Sequence, residues 1–318
     1  MTISDILGCA VSVISILFVS IVIPVFGPLL FSLLAPLPFL FYFSKLGPEN
    51  GLKVNLSAIL ILGIVTWFLG QPHLVILFIE YGIAGFILSE LFRRDLSYSA
   101  TIFWGTLLML IVVSGFLFFI TIAEGATPLE IADKYLQTIF DTIISTYEKD
   151  GSHPEMVAQL KKAGPVIIKE IGEIYQKYYP SFIVVGTGII VWFNVVVSKP
   201  LFRRKGIRYP DLGRADMWRA PEPLVWGLIV AGFVKVLSIS ALDFAATNAL
   251  IIISVIYAFH GLSIVLFFFN KYKVPALIRF IVYLIIVLQQ LPVFLAVLGL
   301  FDQWIDFRKI HSRARTTE

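Results

Sequence analysis

Residues 124–180 read EGATPLEIADKYLQTIFDTIISTYEKDGSHPEMVAQLKKAGPVIIKEIGEIYQKYYP. This is the one long polar interval in the chain, and it carries nine acidic residues against six lysines. Thr127-Pro128-Leu129-Glu130 opens it with a capping box and a proline at the first helical position. Leu129, Ala132, Leu136, Ile139, Ile143 and Tyr147 then recur at three- and four-residue steps, the period of an amphipathic helix. Ser152-His153-Pro154-Glu155 repeats the start signal. Behind it Met156, Leu160, Ala163, Ile167, Ile171, Ile174 and Tyr178 form a second stripe, with a kink expected at Gly164-Pro165. Neither stripe is apolar enough to cross a bilayer, so the interval is expected to form an amphipathic helical hairpin outside it.

Outward from the hairpin the chain is membrane-grade on both sides. With 58% hydrophobic and 14% charged residues and a mean hydropathy of +0.89, it is no soluble domain. Soluble chains carry roughly 25% charged residues. The apolar runs are continuous and rich in Leu, Ile and Phe, which excludes the alternation of a transmembrane barrel. Runs of ~18 apolar residues mark spanning helices, and they fall at 6–25, 28–44, 54–70, 74–92, 99–123, 181–198, 223–241, 245–269 and 276–300. Gly27-Pro28 divides the first two, because no single helix fits the 39 positions from Ile6 to Ser44. The expected fold is an all-α, polytopic transmembrane helical bundle of eight or nine spans with an extramembrane hairpin. Its parts are a five-span block (1–123), the hairpin (124–180), a four-span block (181–303) and a basic tail (304–318).

The net charge of +4 does not mark a nucleic-acid binder. The basic residues sit in short loops at 45–53, 93–95, 199–222 and 271–275, all on one face of a nine-span chain. The loop from Lys199 to Glu222 alone holds seven Lys/Arg against three acids. The positive-inside rule places that face in the cytoplasm and the acidic hairpin outside. The same count sends Arg308, Lys309, Arg313 and Arg315 to the other face, unless Gln289-Gln290-Leu291-Pro292 makes a re-entrant break, so the side of the tail stays open. The single cysteine, Cys9, excludes an internal disulfide and a zinc cluster. Ile6-Leu7-Gly8-Cys9 lacks the preceding basic and apolar regions of a lipoprotein signal, and the first span is expected to remain as an anchor.

Several landmarks lie along the chain: Gly27-Pro28, Gly47-Pro48-Glu49-Asn50-Gly51, and Gly82 and Gly85 before Arg93-Arg94. Phe202-Arg203-Arg204-Lys205-Gly206 precedes Trp218-Arg219-Ala220-Pro221. His260-Gly261-Leu262-Ser263 and Gly299-Leu300-Phe301-Asp302, running on to Asp306-Phe307-Arg308-Lys309, complete the set. In these the chain resembles the YybS-like family of predicted bacterial membrane proteins, whose function is not established. The resemblance implies motif roles for Gly47, Pro48, Gly51, Gly261, Asp302, Asp306 and Arg308. It implies, more distantly and by analogy of fold, the substrate-binding S-components of energy-coupling-factor transporters. S-components dock their energising partner through Ala-x-x-x-Ala on the first span. Here Ala10 is followed by Ile14, and Gly8 with Ser12 is the small pair instead.

Ionisable and amide side chains inside a bilayer are costly and are site candidates on that ground. They are Glu80, Lys235, Asp243, His260, Gln289 and Gln290, with Asn194 beside them. Glu80, Lys235 and Asp243 fall in the outer half, where they would line a pocket for a small solute; the alternative is that they pair and fix helix register. Arg203, Arg204, Lys205 and Arg208 offer a surface for a membrane or cytoplasmic protein partner or for anionic lipid, or simply set topology. Asp302 and Asp306, four apart, would share a helix face and could hold a metal with a diphosphate. The earlier Asp-rich half that such phosphatidyltransferase chemistry needs is not supplied by Asp211-Leu212-Gly213-Arg214-Ala215-Asp216. Without a nucleophile–histidine pair, P-loop or metal-ligand spacing, no enzyme, cofactor or metal is expected. The sequence therefore points to S-component-like binding or transport of a small solute. The alternative is a non-transporting membrane scaffold or assembly factor.

Overall fold

The computed structural model describes residues 2–23, 27–150, 154–289 and 291–309; Ser152, His153, Gln290, Arg313 and Arg315 fall outside them. Among the described residues the secondary structure is helical throughout. The helices are α1 (Ile3–Val22), α2 (Gly27–Leu34), α3 (Pro36–Phe68), α4 (Leu74–Arg93), α5 (Tyr98–Glu124) and α6 (Pro128–Asp150). They continue as α7 (Pro154–Arg204), α8 (Leu224–Val236), α9 (Ser240–Lys271), α10 (Ala276–Leu288) and α11 (Pro292–Ile305), with a 3-10 turn at Ala215–Met217.

Among the described residues six stretches are long and apolar enough to cross a membrane: Ile3–Val22, Gly27–Phe68, Leu74–Arg93, Tyr98–Glu124, Val157–Arg204 and Ser240–Lys271. The second of these reverses on itself. Gly47 takes φ 84°, a left-handed conformation that suits glycine, and Pro48 follows it. The two limbs of α3 then run back to back, with Asn55 Nδ2 donating to Phe39 O at 3.4 Å. A side chain at Gly51 would lie 2.8 Å from the Phe43 Cα. The difference from eight or nine spans lies at the C-terminal end. Thirteen residues of α8 rise only ~20 Å, short of a ~30 Å hydrocarbon layer. The last expected span is broken at Gln289 into α10 and α11.

The hairpin forms where its start signals lie. Thr127 N donates to Glu130 Oε2 at 2.7 Å and Glu130 N to Thr127 Oγ1 at 3.3 Å, closing the capping box of α6. Lys161 pairs with Glu148 at 2.6 Å across the hairpin. No break occurs at Pro165; α7 runs for 51 residues from the hairpin into the bundle. Its adjustment comes one residue after Pro180. There Asn248 of α9 accepts from Ser181 N and donates to Lys177 O, both at 3.0 Å, standing in for the i to i−4 bond of α7.

At the other end the basic loops are stitched to one another. Lys45 pairs with Asp5 at 2.6 Å, and Arg93 donates to Phe43 O at 3.3 Å. Arg208 pairs with Asp95, and Asn270 donates to Asp216 at 3.1 Å. Arg279 donates to the Phe269 and Val274 carbonyls at the end of α9. Two apolar cores fill the N-terminal part: one around Val13, Phe39, Val54, Leu62 and Phe78, the other around Leu40, Leu88, Val191, Val195 and Phe202. Gly8 is spent inside the first core region, since a side chain there would meet the Tyr42 hydroxyl at 2.2 Å.

Candidate functional site

The closest helix crossing in the C-terminal part is between α9 and α11. A Cβ on Gly261 would sit 2.0 Å from Leu295 O, and one on Gly299 would sit 2.2 Å from Tyr257 O. Only glycine permits this approach. Each glycine thus lies against the backbone of the other helix, with Gly299 reaching the Tyr257 to Gly261 turn of α9. This register puts Asp302 opposite His260 and Gln303 opposite Tyr257, where Gln303 Nε2 donates to the Tyr257 hydroxyl at 3.1 Å.

The chain then turns sharply. Asp306 caps α11 at φ 49°, and its backbone N–H bonds to Asp302 O. The turn brings Arg308 back over the crossing. Its Nη2 donates to Asp302 Oδ2 at 2.6 Å, and its Nη1 reaches Asp216 O at 3.2 Å and Trp218 O at 3.1 Å. Asp302 Oδ1 accepts from Phe307 N at 2.8 Å. His260 Nε2 is 3.1 Å from Asp302 Oδ2 and 3.1 Å from Arg308 Nη2. Arg308 Nη2 can only donate and the carboxylate can only accept, so Nε2 bonds to Asp302 when it carries the proton and accepts from Arg308 when it does not. His260 and Asp302 are fully buried and Arg308 is 4% exposed. The Asp302 carboxylate and the Arg308 guanidinium offset each other's charge in the interior. His260 Nδ1 and Arg308 Nε have no partner among the described residues.

Three segments distant in sequence are thus tied at one point: the basic loop at 216–219, α9 at 257–263 and the C-terminal segment at 302–309. Ser263 Oγ donates to Trp218 O and to His260 O, so its hydroxyl faces carbonyls rather than the imidazole. The Trp218 ring lies edge-on to His260 at 6.1 Å, and its Nε1 donates to Ser99 Oγ at 2.6 Å. The start of the tail therefore lies against the basic loop at 216–219.

The other sequence candidates lie elsewhere. Lys235 and Asp243 pair with each other across the turn from α8 to α9, far down α9 from His260. Glu80 sits half-buried on α4 and makes no ion pair among the described residues. Gln289 caps α10 and is exposed, and Gln290 lies outside the described residues. Asn194 donates to Leu33 O at 3.0 Å, at the break between α2 and α3. Gly47, Pro48 and Gly51 make the α3 reversal.

Asp302 and Asp306 do not share a face. Asp306 has left the helix, and its carboxylate pairs with Arg219 at 2.6 Å and Lys309 at 3.1 Å. Burial raises the Asp306 pKa, but the hydrogen bonds from Arg219 and Lys309 outweigh it and hold the carboxyl below the usual range. Asp216 is likewise held low, first by the Arg214 hydrogen bond. Asp216, Ser263 and Asn248 were not among the sequence candidates. A serine or asparagine inside a long apolar run was the available signal.

Residues 10–303 match the family described as Predicted membrane protein (DUF2232). The chain is 25% identical over 292 residues to the Uncharacterized protein YybS of Bacillus subtilis (strain 168), covering 90% of each. No solved structure matches it. The residues that bear the family resemblance and converge on the α9–α11 crossing lie within or just beyond the matched span: the chain belongs to the DUF2232 family of predicted membrane proteins.

Proposed function

We propose that this multi-pass protein of the bacterial cytoplasmic membrane is a non-enzymatic scaffold or assembly factor. In this reading its basic cytoplasmic face receives a protein partner. The observation that carries the reading is the Arg308 clasp. By joining Asp302, the Asp216 and Trp218 carbonyls and Ser263, it anchors the far end of the loop that leaves α7 after Arg203 and Arg204 and carries Lys205 and Arg208. All four of these side chains are exposed. A buried ion network is weak support for stability but a means of holding one arrangement against others, which is what a docking surface requires.

The test is photo-crosslinking in cells from a photoreactive residue in place of Arg204. The reading expects a discrete protein adduct. That adduct should be lost when Arg203 and Lys205 become Gln, and kept in Glu80→Ala. Adducts to lipid alone would contradict it.

Glu80 favours a second reading, S-component-like binding of a small solute. A half-buried carboxylate without an ion pair among the described residues, inside a candidate span, is suited to a cationic or hydrogen-bonding ligand. Screening solutes by thermal shift would support it if a stabilising solute loses its effect in Glu80→Ala. No such solute would count against it.

A further inference from the structure

The basic end carries a cleft of about 370 Å³ lined by Lys199, Arg203, Ile207, Tyr209, Pro210 and Asp211. Its two cations stand four residues apart on the last turns of α7 and so project from one face. Other arginines of this loop are already neutralised: Arg208 by Asp95, Arg214 by Asp216 and Arg219 by Asp306. Lys199 and Arg203 make no ion pair among the described residues, and both are exposed.

The floor of the cleft is rigid. The Tyr209 hydroxyl donates to Val195 O at 2.8 Å, and its ring lies edge-on to Phe92 at 5.3 Å and Phe202 at 6.2 Å. Lys199 Nζ stands 5.9 Å from the centre of that ring. Asp211 also lines the cleft, its Oδ1 accepting from Gly213 N at 3.1 Å. The depth is informative as well. The apolar run of α7 at 181–198 ends just before Lys199, so the cleft lies where a spanning helix meets the phosphate layer.

We propose that this cleft binds the phosphodiester headgroup of an anionic membrane lipid. Lys199 and Arg203 hold the phosphate, Ile207 lies against the glycerol and acyl root, and Asp211 accepts a hydrogen bond from a headgroup hydroxyl. A phosphate flanked by two cations and a hydroxyl facing a carboxylate describe a phosphatidylglycerol-like group. The proposal goes beyond partner docking and does not rest on it, because its assay contains no partner.

The experiment places the full chain in phosphatidylcholine nanodiscs doped with phosphatidylglycerol and counts retained lipid by native mass spectrometry. Wild type should retain one phosphatidylglycerol. Removing two surface cations in Lys199→Gln/Arg203→Gln should weaken retention about thirtyfold. Lys53→Gln, which removes an exposed charge of α3, should leave it unchanged. Equal melting temperatures would show that the double variant is folded. Retention unaffected by the double variant, or reduced as much by Lys53→Gln, would overturn the site. Displacement of the lipid by millimolar inorganic phosphate would overturn the lipid as its source.

Discussion

Where α3 meets α4, a side chain on Gly85 would come 2.6 Å from Leu40 N, and the surroundings are apolar: Phe39, Leu40, Ala84 and Leu88. Where α9 meets α11, Gly261 and Gly299 allow an equally close approach, but a carboxylate, an imidazole and a guanidinium are buried beside it. Lipid chains are as apolar as leucine, so neither crossing is driven by hydrophobic burial alone, and both depend on small residues. The difference lies in what happens when the fit is disturbed. Apolar side chains of similar volume can repack at modest cost, whereas separating Asp302 from Arg308 strands a charge. The first crossing tolerates adjustment, and the second holds one register.

The largest effect should come from breaking the charged crossing directly. Arg308→Met leaves Asp302 buried without its cation and should cost about 3–5 kcal/mol of unfolding free energy in mixed micelles. Phe39→Leu, a size-similar change in the apolar region, should cost about 1 kcal/mol in the same assay. Equal losses would erase the contrast.

Two asparagines sharpen it next. Asn248→Leu leaves Ser181 N and Lys177 O without their bridge and should cost about 1–3 kcal/mol, read in the same titration. Asn55→Leu should cost about 1 kcal/mol or less, because both of its contacts are long, 3.4 Å to Phe39 O and 3.4 Å from Cys9 Sγ. Smaller still is the exposed Lys235–Asp243 pair, whose removal in Lys235→Gln should leave the unfolding midpoint unchanged.

The loop carboxyls supply a pH-dependent comparison. Asp216 and Asp306 are both held below their ordinary value of 3.8 in the folded chain. Their contribution is therefore complete above that value and is lost as pH falls through the lower folded values. Wild type should lose more stability between pH 5 and pH 3 than Asp216→Asn/Asp306→Asn, as measured by the thermal midpoint.

The hairpin start at Thr127, the reversal at Gly47-Pro48 and the gathering of basic loops were legible because each rests on local chemistry: a cap, a positive φ, a charge run. The α9–α11 crossing was legible only as separate fragments. His260, Asp302 and Arg308 could be named, but nothing local says that a left-handed residue at Asp306 folds Arg308 back over the helix it follows. The short reach of α8 was also hidden. Its apolar run continues through Leu237 and Ile239 into the next helix, and only the turn at Ser238, with φ 51°, divides them. Span counting reads hydropathy and does not see such turns. Glu80, Lys235 and Asp243 share only depth in the bilayer in the sequence, and in the structure Lys235 and Asp243 pair with each other. Which helices are neighbours comes from tertiary packing.

The claim that matters most is that Asp302 and Arg308 act as one unit at the α9–α11 crossing. A double-mutant cycle of Asp302→Asn and Arg308→Gln, followed by unfolding in mixed micelles, measures it directly. The account predicts that each single change costs several-fold more than an exposed substitution, and that the double variant is no worse than the poorer single, a coupling of about 2–3 kcal/mol. Additive losses, or no loss in either single variant, would contradict it.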